Sequence, residues 1–339
     1  MPHTAQACVF VAFVASASFA SPPAAAQAPA DFYKGKTISI LMGTGPGGSY
    51  DLYGRTIAEH LGRHIPGRPN IVVEHMPGAG GVVAGNHIYG PGPQDGSRIL
   101  LSHALPLVER LEPKGVQFQT AKMHWLGAYD AIAQMMVLWH TVPVRTLDDL
   151  RTKEFVVGSF NKTHLSYQWA MLTKNVLGTN YKVITGYPSG NHLNLAMERG
   201  EIAGWTISWE NLYAVKPEWL RDRRVTIFIQ YTVERLRELP DTPTLAEVSP
   251  PDKRPMAEFI ASGTPFARAL AVGPGVPKDR VAALRKAFDG LMQDQEFLAV
   301  AKKRKLDINP RNATATHALL EKITGASPEL VGQVTKAIE

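Results

Sequence analysis

The sequence contains a single cysteine, and its first 30 residues contain no charged side chain. The cysteine is Cys8, and it lies in an apolar run at 8–20 that small residues and prolines follow. This pattern is typical of a secretory signal peptide, and the run is too short for a membrane span. Loss of residues 1–28 would remove the thiol, which excludes disulfides and cysteine-based metal or catalytic sites. The segment MPHTAQ lacks the usual positive charge, so the true start and the cleavage site stay open.

Several catalytic and nucleic-acid-binding signals are also missing. The sequence has no Gly-x-Ser-x-Gly and no His-Glu-x-x-His, and no Gly-Lys-Ser/Thr follows the glycine-rich stretch at 43–48. These absences exclude the common hydrolase and phosphate-loop signatures. The net charge of +6 is modest, and the densest basic block, AKKRKLD at 301–307, is typical of the solvated end of a helix. We therefore expect a protein that is not an enzyme, binds no nucleic acid and needs no cofactor or metal.

The chain instead alternates short apolar runs with amphipathic stretches. TISILM (37–42), NIVVE (70–74) and SRILLS (97–102) have the composition of strands. Between the first two, Tyr53, Ile57, Leu61 and Ile65 recur every four residues, which predicts one buried face of a helix. A β-α-β-α-β order predicts an α/β fold with a parallel sheet and helices on its faces.

A second α/β unit follows. TLDD at 146–149 predicts a capping box that opens a short helix. Further helices are predicted at 163–177 and in NHLNLAMERG, before Gly200. The remaining elements are a helix after Pro277, in a helical C-terminal segment, and strands at 155–159, 181–185, 202–208, 225–230 and in FARALAVG (266–273).

The glycines of GTGPGG fit Gly-x-Gly-x-x-G at Gly43, Gly45 and Gly48, the spacing of a dinucleotide-binding turn. Glu74 stands at the end of the second strand, where such a fold places a ribose-binding acid. However, it lies 31 residues after Gly43, against about 20 in that motif, and Pro46 falls where the helix should begin. These two departures make the dinucleotide-binding interpretation the weaker one. It is kept as the alternative, an enzyme that binds a nucleotide or a small acid at these loops.

Four strand ends carry a related loop, two of them rich in glycine and two polar. They are TGPGGSYD, MPGAGG, GSFNKTHLS and GYPSGNHL. Parallel strands of one sheet end at the same edge, so the loops of each unit should line one crevice. Glycine turns and helix N-termini offer backbone N–H groups to an anion. We therefore predict that these loops recognise a carboxylate or a similar anion.

These segments resemble the Bug or TctC-like family, the periplasmic solute receptors of tripartite tricarboxylate transporters. The resemblance rests on PGGSYDLYGR (46–55), VVEHMPGAGG (72–81), PQDG (93–96), GYPSGNHLNLAMERGEIAGW (186–205), PTLAE (243–247) and VGPGVPKDRVAALRKAF (272–288). The match spans residues 32–310. Each motif is weak by itself, and together they are fairly specific.

The resemblance implies a fold like that of type II periplasmic binding proteins, with two α/β lobes, two crossover strands and a ligand cleft between the lobes. We expect a signal peptide at 1–28, a first lobe built from 29–135 and 267–339, and a second lobe at 136–266. It also implies a periplasmic monomer that captures a small organic acid and presents it to integral-membrane transporter subunits. A sensor in place of the transporter stays open.

Carried over by position, the resemblance implies a ligand site with residues from both lobes. They are Thr44, Gly47, Ser49, Tyr50, Gly78, Ala79 and Gly80 from the first lobe, and Ser159, Asn161, Thr163, Gly190, Asn191 and Ser208 from the second. Tyr50 stands where the family usually has a small polar residue, and SFNKTHLS has fewer glycines than usual, which leaves the acid unnamed. Asp51 is expected to start the first helix rather than to touch the ligand.

Some histidines and tryptophans have a second interpretation. His60 and His64 have the spacing of metal ligands, but the absence of a third ligand nearby in sequence favours a solvated surface. The loop histidines at positions 75, 103, 164 and 192 are interpreted as structural, with a hydrogen bond to a carboxylate as the alternative. Trp205 and Trp209 are expected in the core, although Trp209 also suits stacking on an aromatic acid.

Overall fold

The structure is a computed structural model and describes residues 1, 28–46, 48–102, 104–160, 162, 165–187 and 190–339. Residues 2–27, almost all of the predicted signal peptide, lie outside this part. Within the described ranges, no helix combines the length and the apolar character needed to cross a bilayer.

Strands and helices are numbered along the chain. The strands are β1 (Thr37–Met42), β2 (Asn70–His75), β3 (Arg98–Leu101), β4 (His124–Ala128), β5 (Gln134–Trp139), β6 (Val156–Gly158), β7 (Lys182–Ile184), β8 (Gly204–Ser208), β9 (Val225–Tyr231), β10 (Ala269–Val272) and β11 (Arg311–Asn312). The helices are α1 (Pro29–Tyr33), α2 (Gly48–Leu61), α3 (Val82–Tyr89), α4 (Leu105–Leu111), α5 (Leu147–Thr152), α6 (Leu165–Leu177), α7 (Gly190–Glu198), α8 (Pro217–Arg221), α9 (Leu245–Val248), α10 (Arg254–Ser262), α11 (Lys278–Met292), α12 (Gln295–Lys303), α13 (Ala313–Thr324) and α14 (Pro328–Ile338).

The strands form two sheets. The first has the order β11-β4-β10-β3-β1-β2, and the second has the order β7-β6-β8-β5-β9. β1 pairs in parallel with β2 and β3, and β6 pairs in parallel with β7 and β8. β10 and β5, by contrast, pair antiparallel with their neighbours. Each sheet therefore has a parallel part, whose strand ends face the same edge, beside an antiparallel part.

The chain passes between the sheets where β4 leads to β5 and where β9 leads through α9 and α10 to β10. Near the C-terminus α13 packs on β4, and α14 packs on α6 of the second sheet. One apolar cluster joins both sheets, with Trp125 of β4, Met136 of β5 and Trp169 of α6 among its buried members. The predicted α/β class with two lobes and crossover strands is confirmed.

Two local predictions, the buried face of α2 and the capping box of α5, are confirmed. Tyr53, Ile57, Leu61 and Ile65 are all buried, so the four-residue period marked the buried face of α2. The hydroxyl of Thr146 accepts a hydrogen bond from the Asp149 amide, while the Asp149 carboxylate accepts one from the Thr146 amide. This capping box starts α5 at the predicted position.

Other predictions need correction. The first half of FARALAVG belongs to a 3₁₀ turn, Thr264–Arg268, and only Ala269–Val272 is strand. The expected solvated surface at His60 is also wrong, because this side chain is buried and packs edge-on against Phe297. His64 contacts Asp294, 2.7 Å from its Oδ2 atom. Among the described residues, no group of three potential metal ligands occurs.

Candidate ligand-binding cleft

Two glycine-rich loops lie side by side at the carboxyl edge of the first sheet. β1 ends at Met42 and β2 at His75, opposite each other in the parallel register. The first loop leads from β1 into α2, and the second, residues 76–81, leads from β2 into α3. The parallel pairing thus brings Thr44 and the glycines of the second loop to one edge, as the sequence predicted.

The second loop has glycine at three positions where its backbone conformation would strain other residues. Gly78, Gly80 and Gly81 have φ values of +149°, +61° and +93°, and Ala79 has a φ of +44°. A Cβ on Gly78 would lie 2.6 Å from Cγ2 of Val83. Ala79 and Gly80 are exposed. The glycines therefore hold the chain in a tight turn that exposes Ala79 and Gly80.

His75 connects the two loops. Its Nδ1 atom lies 2.8 Å from the carbonyl oxygen of Thr44, and its Nε2 atom lies 3.1 Å from Oδ1 of Asp51 in the first turn of α2. Oδ2 of Asp51 also accepts a hydrogen bond from Nε of Arg55 at 3.0 Å. Asp51 is thus engaged at the start of the helix, the place that the sequence predicted for it.

The second sheet presents polar residues at the corresponding edge. Ser159 follows β6, Gly190 begins α7, and Ser208 ends β8. The Ser159 hydroxyl is fully buried, 2.7 Å from the hydroxyl of Ser166, and Oγ of Ser208 accepts a hydrogen bond from the Asn211 amide at 3.2 Å. Asn191 is exposed. Since β6, β7 and β8 are parallel neighbours, these positions share one edge.

Several predicted site residues belong to the part of the chain that the structure does not describe. Gly47, Asn161 and Thr163 lie outside the described residues, as do His103 and His164, and the side chain of Ser49 is not described. Their assignment to the ligand site stays a prediction.

A buried arginine connects the sheets beside the first loop. Arg268 precedes β10 and is 2% exposed. Its Nη2 atom donates to Oε1 of Glu210, which follows β8, at 2.7 Å. The rings of Tyr50 and Tyr53 in α2 lie 4.7 and 4.2 Å from its guanidinium carbon. Tyr50, a predicted ligand residue, is thus packed against the inter-sheet ion pair.

Sequence reasoning missed Arg268 and Glu210. The available signal is that Arg268 is the lone charge within the apolar segment PFARALAVG, since a charged side chain in such a segment is buried only with a partner. The partner lies 58 residues away in sequence, and no local pattern identifies it.

Burial and nearby charges together set the protonation states of Arg268 and its neighbours. Burial disfavours the guanidinium charge, but Tyr129 and Glu210 outweigh burial and raise the pKa of Arg268. Burial raises the pKa of the Tyr50 hydroxyl to about 12, in spite of the opposing effect of Arg268. Burial also raises the pKa of Asp130 well above its usual range. Around neutral pH the centre of the interface thus holds a permanent cation and neutral phenols.

A cavity of about 310 Å³ lies next to this ion pair. Its lining includes Asp130, Ser208, Trp209, Glu210, Thr232 and Asp307. Ser208 is the predicted ligand residue that this cavity exposes. Trp209 lines it as well and is only partly buried, whereas Trp205 is in the core as expected.

Glu74 occupies the position that a dinucleotide-binding fold reserves for a ribose ligand. Its Oε2 atom accepts a hydrogen bond from Nη2 of Arg98 at 2.8 Å, and Nη1 of Arg98 lies 2.6 Å from His87. The carboxylate of β2 thus pairs with an arginine of β3 across the intervening strand β1, a role that needs no nucleotide.

The sequence matches no protein-family model and no curated protein. Solved structures, however, have a similar fold. A TctC solute-binding protein from Polaromonas has a TM-score of 0.69 at 18% identity, with coverage of 89% of this chain and 99% of that chain. MatC from Rhodopseudomonas palustris with bound malate has a TM-score of 0.57 at 18% identity, with coverage of 90% and 99%. R. palustris Rpa4515 with adipate has a TM-score of 0.61 at 16% identity, with coverage of 89% and 97%. The chain therefore has the two-lobed fold of type II periplasmic binding proteins.

Proposed function

We propose that the chain is an exported solute-binding protein that captures a small organic acid in the cleft between its lobes. The acid binds as a carboxylate and is delivered to the membrane subunits of a tripartite tricarboxylate-type transporter. The observation that carries the proposal is the pair of glycine-rich loops at the shared edge of β1 and β2. The tight turn of the second loop leaves Ala79 and Gly80 exposed at this edge, where backbone N–H groups can bind a carboxylate.

The site has contributions from both lobes. The first loop, with Thr44, Gly47, Ser49 and Tyr50, and the second, with Gly78, Ala79 and Gly80, hold one side of the acid. Ser159, Asn161, Thr163, Gly190, Asn191 and Ser208 hold the other. Closure of residues 136–266 onto the lobe formed by 29–135 and 267–339 then encloses the ligand by a hinge motion.

The similar structures support this assignment in two respects. The Polaromonas protein is described as a solute-binding protein, and the two R. palustris proteins contain malate and adipate. Both ligands are short dicarboxylates, so dicarboxylates of four to six carbons are the first class to test. We further propose that the protein works in the periplasm as a monomer, without a cofactor or catalytic turnover.

A thermal-unfolding screen tests the proposal. The protein is purified from the periplasm of an expression host and refolded to remove carried ligand. It is then heated with malate, adipate, citrate, benzoate, NADH or ATP. A ligand at 100 times its Kd adds about 2.7 kcal/mol, which raises the Tm by a few degrees. A shift confined to carboxylates supports the proposal, whereas a shift with NADH or ATP alone would favour the enzyme alternative.

A further inference from the structure

The imidazole of His75 lies between the two glycine-rich loops and has a different polar neighbour on each side. The Thr44 carbonyl oxygen is 2.8 Å from Nδ1. Because a carbonyl oxygen only accepts, Nδ1 carries the hydrogen of this bond. On the other side, Nε2 and the Asp51 carboxylate are 3.1 Å apart, a distance that suits an ion pair although the two groups are not aligned as a hydrogen bond.

The bond to Thr44 fixes the orientation of a whole peptide unit. A trans peptide is planar, and its C=O and N–H groups point in opposite directions. With the Thr44 carbonyl directed at His75 on β2, the N–H of Gly45 is directed away from β2. A flip of this peptide requires a change in the φ of residue 45, and Gly45 permits it because glycine has no Cβ.

We propose that His75 is a positioning residue of the anion site, which prevents this flip and keeps the Gly45 N–H directed toward the ligand. The inference rests on the proposed function, because a carboxylate gains from an N–H donor and is repelled by a carbonyl oxygen. A flipped peptide would direct the Thr44 carbonyl oxygen, instead of the Gly45 N–H, toward the ligand. The contact with Asp51 also ties the imidazole to α2, so that the ring cannot swing away from Thr44.

Two substitutions separate the two contacts of His75. The side-chain amide nitrogen of asparagine lies at the distance of Nδ1 along the side chain, so His75→Asn keeps a donor for the Thr44 carbonyl and loses the contact with Asp51. The amide nitrogen of glutamine lies one bond further out, as Nε2 does. His75→Gln thus keeps a partner for Asp51 and loses the donor for the Thr44 carbonyl.

The experiment compares the wild type, H75N and H75Q by two measurements. Calorimetric titration gives the Kd for malate and adipate, and hydrogen–deuterium exchange of peptides covering 40–46 reports the first loop without any ligand. We expect H75N to bind as the wild type does and H75Q to bind about tenfold more weakly, the effect of one lost hydrogen bond. We also expect faster exchange of the amides at 43–45 in H75Q alone.

The two measurements distinguish the inference from the proposed function. Equal exchange and equal Kd values for H75N and H75Q would overturn the role of His75, even if the wild type binds the acids. If the wild type binds no acid while H75Q still exchanges faster, the carboxylate function fails and the control of the loop by His75 stands. A loss of binding in H75N as large as in H75Q would also overturn the inference, because the Thr44 contact would then be unimportant.

Discussion

Nη2 of Arg268 donates a hydrogen bond to Oε1 of Glu210 at 2.7 Å, and this ion pair joins the residues before β10 to the residues after β8. The Arg268 side chain is 2% exposed, and its Nε and Nη1 atoms have no hydrogen-bond partner among the described residues. Glu210 is therefore the carboxylate that pairs with this buried cation at the interface between the lobes.

Replacement of Glu210 by glutamine should destabilise the protein by about 3 kcal/mol, because it leaves a buried guanidinium without a counter-charge. Thermal unfolding should show a Tm lower by several degrees. Glu218→Gln is the matched control, since its carboxylate is 3.8 Å from Lys216 on the surface and such pairs contribute little. Equal Tm values for the two variants would contradict the importance of the buried pair.

The second loop depends on glycine at position 78. Gly78→Ala should cost about 1–3 kcal/mol of stability, because the residue has a φ of +149° and its new Cβ would lie 2.6 Å from Val83. Binding of malate or adipate should weaken as the turn distorts.

Gly178→Ala is the control for this substitution. Gly178 follows α6 with a φ of +67° and open space around it, so alanine strains the backbone there without approaching the proposed site. The expected result is a lower Tm in both variants and a higher Kd in Gly78→Ala alone. An unchanged Kd in Gly78→Ala would remove this loop from the binding site.

The parallel parts of both sheets were predictable because their signals are local. In α2, Tyr53 and Ile57 mark one buried face, and Gly78 and Gly80 mark a turn that needs positive φ. Such patterns depend on the intrinsic geometry of helices and turns. The sequence thus identified the elements that carry the glycine-rich loops and the order in which they occur.

Of the antiparallel strands, β9 and β10 lie in segments that were predicted as strands, whereas β4 and β5 were not predicted. In β5, Met135–Leu138 are all buried, so the strand has no alternation of apolar and polar residues that distinguishes it from a buried helix. The pairing of Arg268 with Glu210 and the burial of His60 under Phe297 depend on contacts across 58 and 237 residues. Long-range packing of this kind leaves no periodic trace in one sequence.

Tyr50 should control which acids enter the cleft, since it stands where the resembled family has a small polar residue. Its ring lies 4.7 Å from the guanidinium carbon of Arg268. Tyr50→Ser should remove this contact, worth about 1–2 kcal/mol when buried, and enlarge the cleft. We expect the Kd ratio of malate to adipate to shift in favour of the longer acid. Tyr50→Phe keeps the ring and should leave the ratio unchanged, and a shift in this control would mean that the hydroxyl rather than the ring sets the preference.

Acid should weaken the contact between α12 and the 3₁₀ turn after α2, Gly62–His64, through Asp294. Its carboxylate caps α12, where Oδ1 accepts hydrogen bonds from the amides of Glu296 and Phe297, and its Oδ2 atom lies 2.6 Å from Arg63 and 2.7 Å from His64. Burial alone would raise the pKa of Asp294, but the hydrogen bonds from His64, Phe297 and Arg63 outweigh burial and lower the pKa to about 2.

Because the pKa of Asp294 is lower in the folded state than the value of about 3.9 in an unfolded chain, the unfolded state binds the proton more readily. The stabilisation is therefore complete above about pH 4 and is lost as the pH falls toward 2. Asp294→Asn should lower the Tm at pH 6 and reduce the slope of Tm against pH between about 4 and 2. Asp289→Asn, on the neighbouring α11, is the control, since burial raises the pKa of Asp289 and its loss should not reduce this slope. An Asp294→Asn protein with the slope of the wild type would show that other carboxylates dominate the acid transition.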